Sequence, residues 1–233
     1  MSGEFKALGS YAGPEIVDSG LVLALDAGNS KSYPGTGTTW TDLSGNGNTG
    51  TLTNGPTYSS SNGGSIVFDG IDDYVTISDS ATTNTFSTIT LEVIVKYTTT
   101  NNQIIAQKWN YGINAGYGIE LLNGSIYGYA VATSGNYAIV STSSYPANNI
   151  YYMALTLNGT TQTLYINGAS AASNSGGGIP SFGGYAFTLG RRSNVGADAK
   201  LTGNIYLTKI YNTALTADQI LQNYNALRGR FGL

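Results

Sequence analysis

Cysteine and histidine are both absent from this chain of 233 residues. Without cysteine there is no disulfide framework and no zinc–thiolate site, and the redox compartment leaves no trace in the sequence. Without histidine the usual general base and the commonest metal ligand are gone. Together the two absences exclude the ordinary Ser–His–Asp and Cys–His triads. Charge is scarce as well: 10% of residues are charged and the formal net charge is −3. A nucleic-acid partner, which calls for clustered Lys and Arg, is not expected. No apolar run reaches the eighteen or so residues of a membrane-spanning helix. The segment Met1 to Leu8 has neither an apolar h-region nor a small-residue cleavage pattern, so no signal peptide is expected.

What the chain has in abundance is glycine (32), tyrosine (18) and short alternating apolar runs. Alternation at a period of two predicts strands over 21–26, 65–69, 74–77, 89–97, 103–108 and 117–122. It continues over 126–133, 137–143, 151–157, 162–166, 187–190 and 204–211. Asn-Gly pairs at 123–124, 158–159 and 167–168 supply the positive φ of tight hairpins. A dozen short strands with few helical signals define an all-β, antiparallel two-sheet sandwich. At this length it buries about 70% of its unfolded surface and needs no covalent staple. One helix is expected near the end, where Thr216 and Gln219 form a capping box, Ile220, Leu221, Tyr224 and Leu227 share a face, and Gly229 can stop it. Residues 1–19 carry glycines, Pro14 and little periodicity, and are expected to be an extended arm ahead of a domain over 20–233.

The stretch Ser65-Ile66-Val67-Phe68-Asp69-Gly70-Ile71-Asp72-Asp73-Tyr74-Val75 places two β runs around an acidic, glycine-containing bend. It resembles the signature of laminin-G-like domains of the concanavalin-A-like jelly-roll superfamily. The resemblance extends over nearly all of 20–233. It includes the loop Asp42-Leu43-Ser44-Gly45-Asn46-Gly47-Asn48, the strand end Leu164-Tyr165-Ile166-Asn167-Gly168 and the run from Gly203 to Thr216. It implies a jelly roll, a fold that hosts sugar binding, protein binding, glycan hydrolysis and structural roles alike. More narrowly, the opening from Gly20 to Gly35 and the close from Gln222 to Leu233 resemble jelly-roll proteins of marine and cyanobacterial tailed phages.

Glycan hydrolysis on a retaining mechanism needs two carboxyl groups about 5–5.5 Å apart across a cleft. The in-strand glutamates Glu92 and Glu120 stand alone, with Thr90 and Ile94 as the same-face neighbours of Glu92. No catalytic residue and no enzymatic activity are therefore expected. Asp69, Asp72 and Asp73 could offer oxygens to Ca²⁺. The acidic pair that calcium-binding relatives carry further on is replaced by Tyr206 and Leu207. The preferred reading is a bend held by internal hydrogen bonds, with no metal and no cofactor. Sugar binding would use exposed aromatic rings: Trp109, Tyr111 and Tyr117 around one loop, with Tyr145 and Tyr185 as outliers. Most other tyrosines, Tyr129 among them, read as ordinary sheet residues. Arg191 and Arg192 are given no chemistry.

The expectation is a non-enzymatic virion surface protein of a tailed phage, a head decoration, fibre or tail appendage. It would be made in the host cytoplasm and could touch host or environmental glycans. Phe5, Leu8 and Tyr11 of the arm and Arg228, Arg230 and Phe231 of the tail are the candidate attachment residues. The partners would be other virion proteins and glycans, with further copies of the chain also open. The alternatives are a free lectin and, less favoured, a glycan hydrolase.

Overall fold

The computed structural model describes residues 14–84, 88–131, 139–140, 145–176, 178, 184–192 and 199–233. Sixteen strands and one α-helix lie among them. In chain order the first eight strands are β1 (Leu21–Asp26), β2 (Thr39–Trp40), β3 (Gly50–Thr53), β4 (Thr57–Ser59), β5 (Ser65–Asp69), β6 (Tyr74–Ile77), β7 (Thr88–Tyr97) and β8 (Gln103–Asn110). Then follow β9 (Ala115–Leu122), β10 (Ser125–Val131), β11 (Ile139–Val140), β12 (Ile150–Asn158), β13 (Thr161–Ile166), β14 (Ala169–Ser175), β15 (Phe187–Leu189) and β16 (Thr202–Tyr211). Helix α1 (Ala217–Phe231) closes the chain.

The strands form two antiparallel sheets. Sheet A runs β14-β13-β12-β7-β16-β5-β4, with β1 also paired to β16. Sheet B runs β11-β10-β9-β8-β15-β6-β3-β2. Alternation decides which side chains fill the space between them. Leu91, Val93 and Val95 of β7 and Leu155 and Leu157 of β12 meet Ile119 and Leu121 of β9 and Ile126 of β10 in one continuous core. Each such buried side chain is worth about 1.5–3 kcal/mol.

Hairpin chemistry follows the turn residues. Asn123-Gly124 and Asn167-Gly168 take positive φ at both positions, as a two-residue I′ turn requires. At 158–159 only Gly159 does, at 61°, which fits the II′ alternative. The loop between β2 and β3 is organised by Asp42. Its carboxylate accepts from the N–H groups of Ala24, Ser44 and Asn48, each at 2.9 Å, and so ties the loop to β1. The motif around Asp42 is thus structural.

The outer face of sheet A is covered by α1. Thr216 and Gln219 cap each other's backbone as expected, but the helix does not stop at Gly229. It continues to Phe231 and ends at Gly232, whose φ of 71° allows the left-handed cap. Ile220, Leu227 and Phe231 pack onto Ile94, Tyr152, Tyr206 and Tyr211. Val17 joins this layer: its N–H donates to Asn223 Oδ1 at 2.7 Å and its carbonyl accepts from the Tyr211 hydroxyl at 3.0 Å. The last residues of the expected arm therefore lie against the helix. Phe5, Leu8 and Tyr11 fall outside the described residues.

Two of the expected attachment residues are turned inward. Phe231 is buried against Tyr206. Arg230 makes a bidentate ion pair with Asp26 at 2.6 and 2.7 Å and also donates to the Gly63 carbonyl. A side chain already spending its donors inside the fold is not a free docking group, so these two readings are corrected. Arg228 is exposed.

Candidate functional site

With α1 covering much of the outer face of sheet A, the outer face of sheet B is the other broad surface of the sandwich. Its register produces a row across six strands: Thr51, Thr76, Thr188, Gln107, Gly118 and Tyr129 stand side by side on β3, β6, β15, β8, β9 and β10. Trp109 lies two residues beyond Gln107, on the same face, opposite Gly116.

The two glycines make the arrangement possible. A Cβ on Gly118 would stand 2.6 Å from the Tyr129 hydroxyl, and one on Gly116 would stand 2.7 Å from the Trp109 ring. Both rings therefore fold down over bare backbone. Trp109 meets Tyr129 edge-on at 5.3 Å and Tyr111 at 6.4 Å, geometries that suit aromatic quadrupoles. A polar chain runs through the cluster. The Tyr129 hydroxyl donates to Gln107 Oε1 at 3.0 Å, and Gln107 Nε2 donates to the Tyr111 hydroxyl at 3.1 Å. Tyr111 accepts at the outer end of this chain, so its own proton remains available to a ligand. Bonds in series polarise one another and strengthen that donor.

Ionic groups border the cluster. The guanidinium of Arg191 stacks 4.0 Å above the Tyr74 ring, and its backbone carbonyl accepts from the Thr188 hydroxyl at 2.9 Å. Half-buried Glu120 has its carboxyl pushed up by burial, with the Arg192 charge opposing. Burial, with the Glu120 charge adding to it, also raises the Tyr129 phenol well above its ordinary value, so it stays a hydrogen-bond donor.

The residues singled out from the sequence do not converge. Trp109 and Tyr111 belong to the cluster, Trp109 mostly covered at 8% exposure and Tyr111 half-buried. Tyr117 is a core residue, a correction to its reading as a ligand group. It shares the inner face with its partner Lys108, stacks on Phe187 at 6.0 Å and is 1% exposed. Tyr145 packs edge-on against Tyr151 at 5.5 Å, and its carbonyl accepts from Tyr97 at the end of β7. That is the end of the sandwich where β8 begins, whereas Tyr111 follows the end of β8. Gln107 and Tyr129 went unrecognised in the sequence. Alternation back from Trp109 would have reached Gln107, but only the register places Tyr129 across Gly118 from it.

Glu92 is walled off from solvent. It is fully buried under α1, bonded to Lys209 Nζ at 3.0 Å, the Tyr152 hydroxyl at 2.6 Å and Asn223 Nδ2 at 2.7 Å. At the β5–β6 bend, oxygens of Asp69, Asp72 and Asp73 lie within 4.8 Å of one another. Two of these residues serve the bend itself. Asp69 Oδ1 accepts from Ile71 N–H at 2.7 Å, and Asp73 Oδ2 accepts from Asp69 N–H at 3.0 Å. Burial, with the neighbouring Asp charges adding to it, raises the Asp73 carboxyl despite the Asp69 N–H.

Two antiparallel sheets around one core, with a single helix on one side and an aromatic–amide surface on the other, define a jelly-roll sandwich of the lectin type. The chain belongs to the concanavalin A-like lectin/glucanases superfamily, whose laminin G-type family model matches residues 69–221, more than half of its length. No curated protein sequence matches it. Among solved structures it is similar to the binding domain of Paraclostridial mosquitocidal protein 1, with a TM-score of 0.70, 16% identity, and 89% of this chain aligned to 52% of that one. Domain 4 of AbnA, an extracellular arabinanase from Geobacillus stearothermophilus solved with arabinotriose, gives 0.67 at 18% identity, covering 88% of this chain and 98% of that one. Trypanosoma rangeli sialidase, solved with a difluorosialic acid as a covalent intermediate, gives 0.66 at 16% identity, covering 91% and 33%. The chain thus spans about half of the first of these and a third of the last. At such identities the likeness is one of fold.

Proposed function

We propose that this chain is a non-enzymatic carbohydrate-binding domain whose sugar-contacting surface is the outer face of sheet B around Tyr111. The observation that carries this reading is the relay from Tyr129 through Gln107 to Tyr111 within the Trp109 cluster. A polarised hydroxyl donor beside aromatic edges matches a sugar, which offers hydroxyl acceptors on its rim and C–H groups on its faces. Superfamily membership supports the reading. Glu92, spent on burial and three hydrogen bonds, has no route to a substrate, which supports a binding role without hydrolysis.

A glycan array, followed by titration calorimetry on the best hit, tests the proposal. Tyr111→Ala should remove saturable binding at the sheet B face, read from the amide shifts of residues 107–118, while the protein stays folded. Absence of any sugar-competable binding, or binding at that face undiminished in Tyr111→Ala, would refute it.

We further propose that the domain is carried on the virion surface of a tailed phage, as a decoration, fibre or tail appendage. The resemblance of the two stretches 20–35 and 222–233 to phage jelly-roll proteins supports this setting. A free lectin is the alternative, and mass spectrometry of purified particles separates the two: a lectin leaves no peptides in washed virions.

A further inference from the structure

A second concave surface lies on the opposite side of the sandwich. The pairs Thr156–Thr163 and Asn158–Thr161 place four polar side chains on the outer face of β12 and β13. Helix α1 begins at Ala217 and covers the adjoining part of sheet A, around Tyr152, so it leaves this corner open. The segment leading into the helix, through Leu215 and Thr216, forms the other wall, and Tyr165 lines the cleft beside the Thr pair. The cleft has a volume of about 320 Å³. That is the small end of the roughly 300–1,000 Å³ typical of ligand sites, room for one or two sugar-sized rings.

Its hydrogen-bonding groups are left unspent. Thr156 and Tyr165 line the cleft, and among the described residues neither hydroxyl has a hydrogen-bond partner. Both oxygens open onto the cleft and are not committed to the fold, so each is available to donate to or accept from a ligand. Neighbouring hydroxyls are already engaged: Thr163 with Ser173 at 3.2 Å, and Thr216 with the Gln219 N–H.

The lining also fixes the class of ligand. Among the described residues no charged side chain borders the cleft, so an ion entering it would lose water without gaining a counter-charge. Asp218 in the first turn of α1 further disfavours an anion at the helix start. Hydroxyls that donate and accept, an amide at Asn158, and the apolar bodies of Tyr165 and Leu215 suit a neutral polyhydroxylated ring.

We propose that this cleft is a second ligand site, taking one or two rings of a neutral oligosaccharide through Thr156 and Tyr165. It is independent of the sheet B face and lies on the other side of the sandwich. One short oligosaccharide cannot fill both sites, and the protein would bridge separate glycan chains.

Amide shift mapping on the ¹⁵N-labelled protein tests this, with neutral trisaccharides of glucose, mannose and arabinose and, as a charged control, trigalacturonate. The neutral probes should shift the amides of 156–163 and 214–216 saturably at millimolar concentration, and trigalacturonate should not. Thr156→Val and Tyr165→Phe keep shape and remove only the hydroxyl. Each should weaken binding roughly three- to tenfold, the range for one hydrogen bond, with thermal melts confirming the fold. Tyr111→Ala should leave these shifts intact, so a failure of the sheet B reading stays separate from a failure here. No saturable shift with any neutral probe, shifts unaltered by both substitutions, or tighter binding of trigalacturonate would each overturn the proposal.

Discussion

Arg230 and Asp26 stand 204 positions apart in the chain and 2.6 Å apart in the fold. The bond joins the end of α1 to the end of β1. The same guanidinium reaches Gly63 O at 2.7 Å, where Gly28, Gly63 and Gly64 crowd so tightly that a Cβ on Gly28 would clash with the Gly63 carbonyl. Arg230→Ala leaves the nearly buried Asp26 carboxylate without its cation and should cost about 2–4 kcal/mol in chemical denaturation. Exposed Arg228→Ala should cost less than about 0.5 kcal/mol. A reversed order of the two would mean that the clasp is not what holds the helix end.

Glu92 and Lys209 form a fully buried pair beneath α1. Glu92→Gln strips the negative partner from a buried ammonium and should lower stability by about 3–5 kcal/mol. It should have no effect on glycan turnover, because none is expected from the wild type. Reducing-end release that the substitution abolishes would instead mark Glu92 as catalytic.

Thr208 sits on β16 opposite Val93 and Leu25, entirely buried, and its hydroxyl has no partner. Thr208→Val keeps the branched shape and removes the orphaned group. The variant should be more stable by on the order of 1 kcal/mol, read as a raised denaturation midpoint at unchanged slope.

For Glu120 the sign of the pH dependence follows from its raised carboxyl. The folded state favours the protonated acid, so this group's contribution to stability is greatest below its ordinary value of 4.5. It is lost as pH rises through the raised folded value. Glu120→Gln should flatten that loss, and the gap between variant and wild type should widen from about pH 4 to about pH 8. A gap that is constant with pH would place the effect in packing rather than ionisation.

At the β5–β6 bend the main-chain N–H groups of Asp69 and Ile71 already occupy carboxylate oxygens. Chelation with EDTA should leave the melting midpoint in place. A bound ion at a thousandfold excess over its Kd would have contributed about 4 kcal/mol. A fall of many degrees on chelation, reversed by Ca²⁺, would make the three aspartates a metal site.

Alternation and turn chemistry in the sequence were enough to determine the class of fold, twelve of the strand regions, the capping box at Thr216 and the hairpin turns. Each of these rests on interactions between residues close in the chain: period-two burial, Asn-Gly backbone freedom, a side chain reaching its own helix start. The short strands β2, β3 and β4 and the polar β14 escaped, because they are too brief or too polar to show a period and exist only through their neighbours' hydrogen bonds. Tyr117 and Tyr111 flank the same loop and look alike in sequence. The register puts Tyr117 on the inner face beside Lys108 and leaves Tyr111 at the end of the Gln107 relay. Arg230 reads as a free cationic tail until β1 supplies Asp26. Which polar and aromatic side chains are buried, paired or left facing a ligand was therefore decided by strand register and helix docking, over separations from nine residues between Tyr117 and Lys108 to 204 between Arg230 and Asp26. No local pattern encodes that choice, because burial and hydrogen bonding depend on partners the chain supplies only once it is folded.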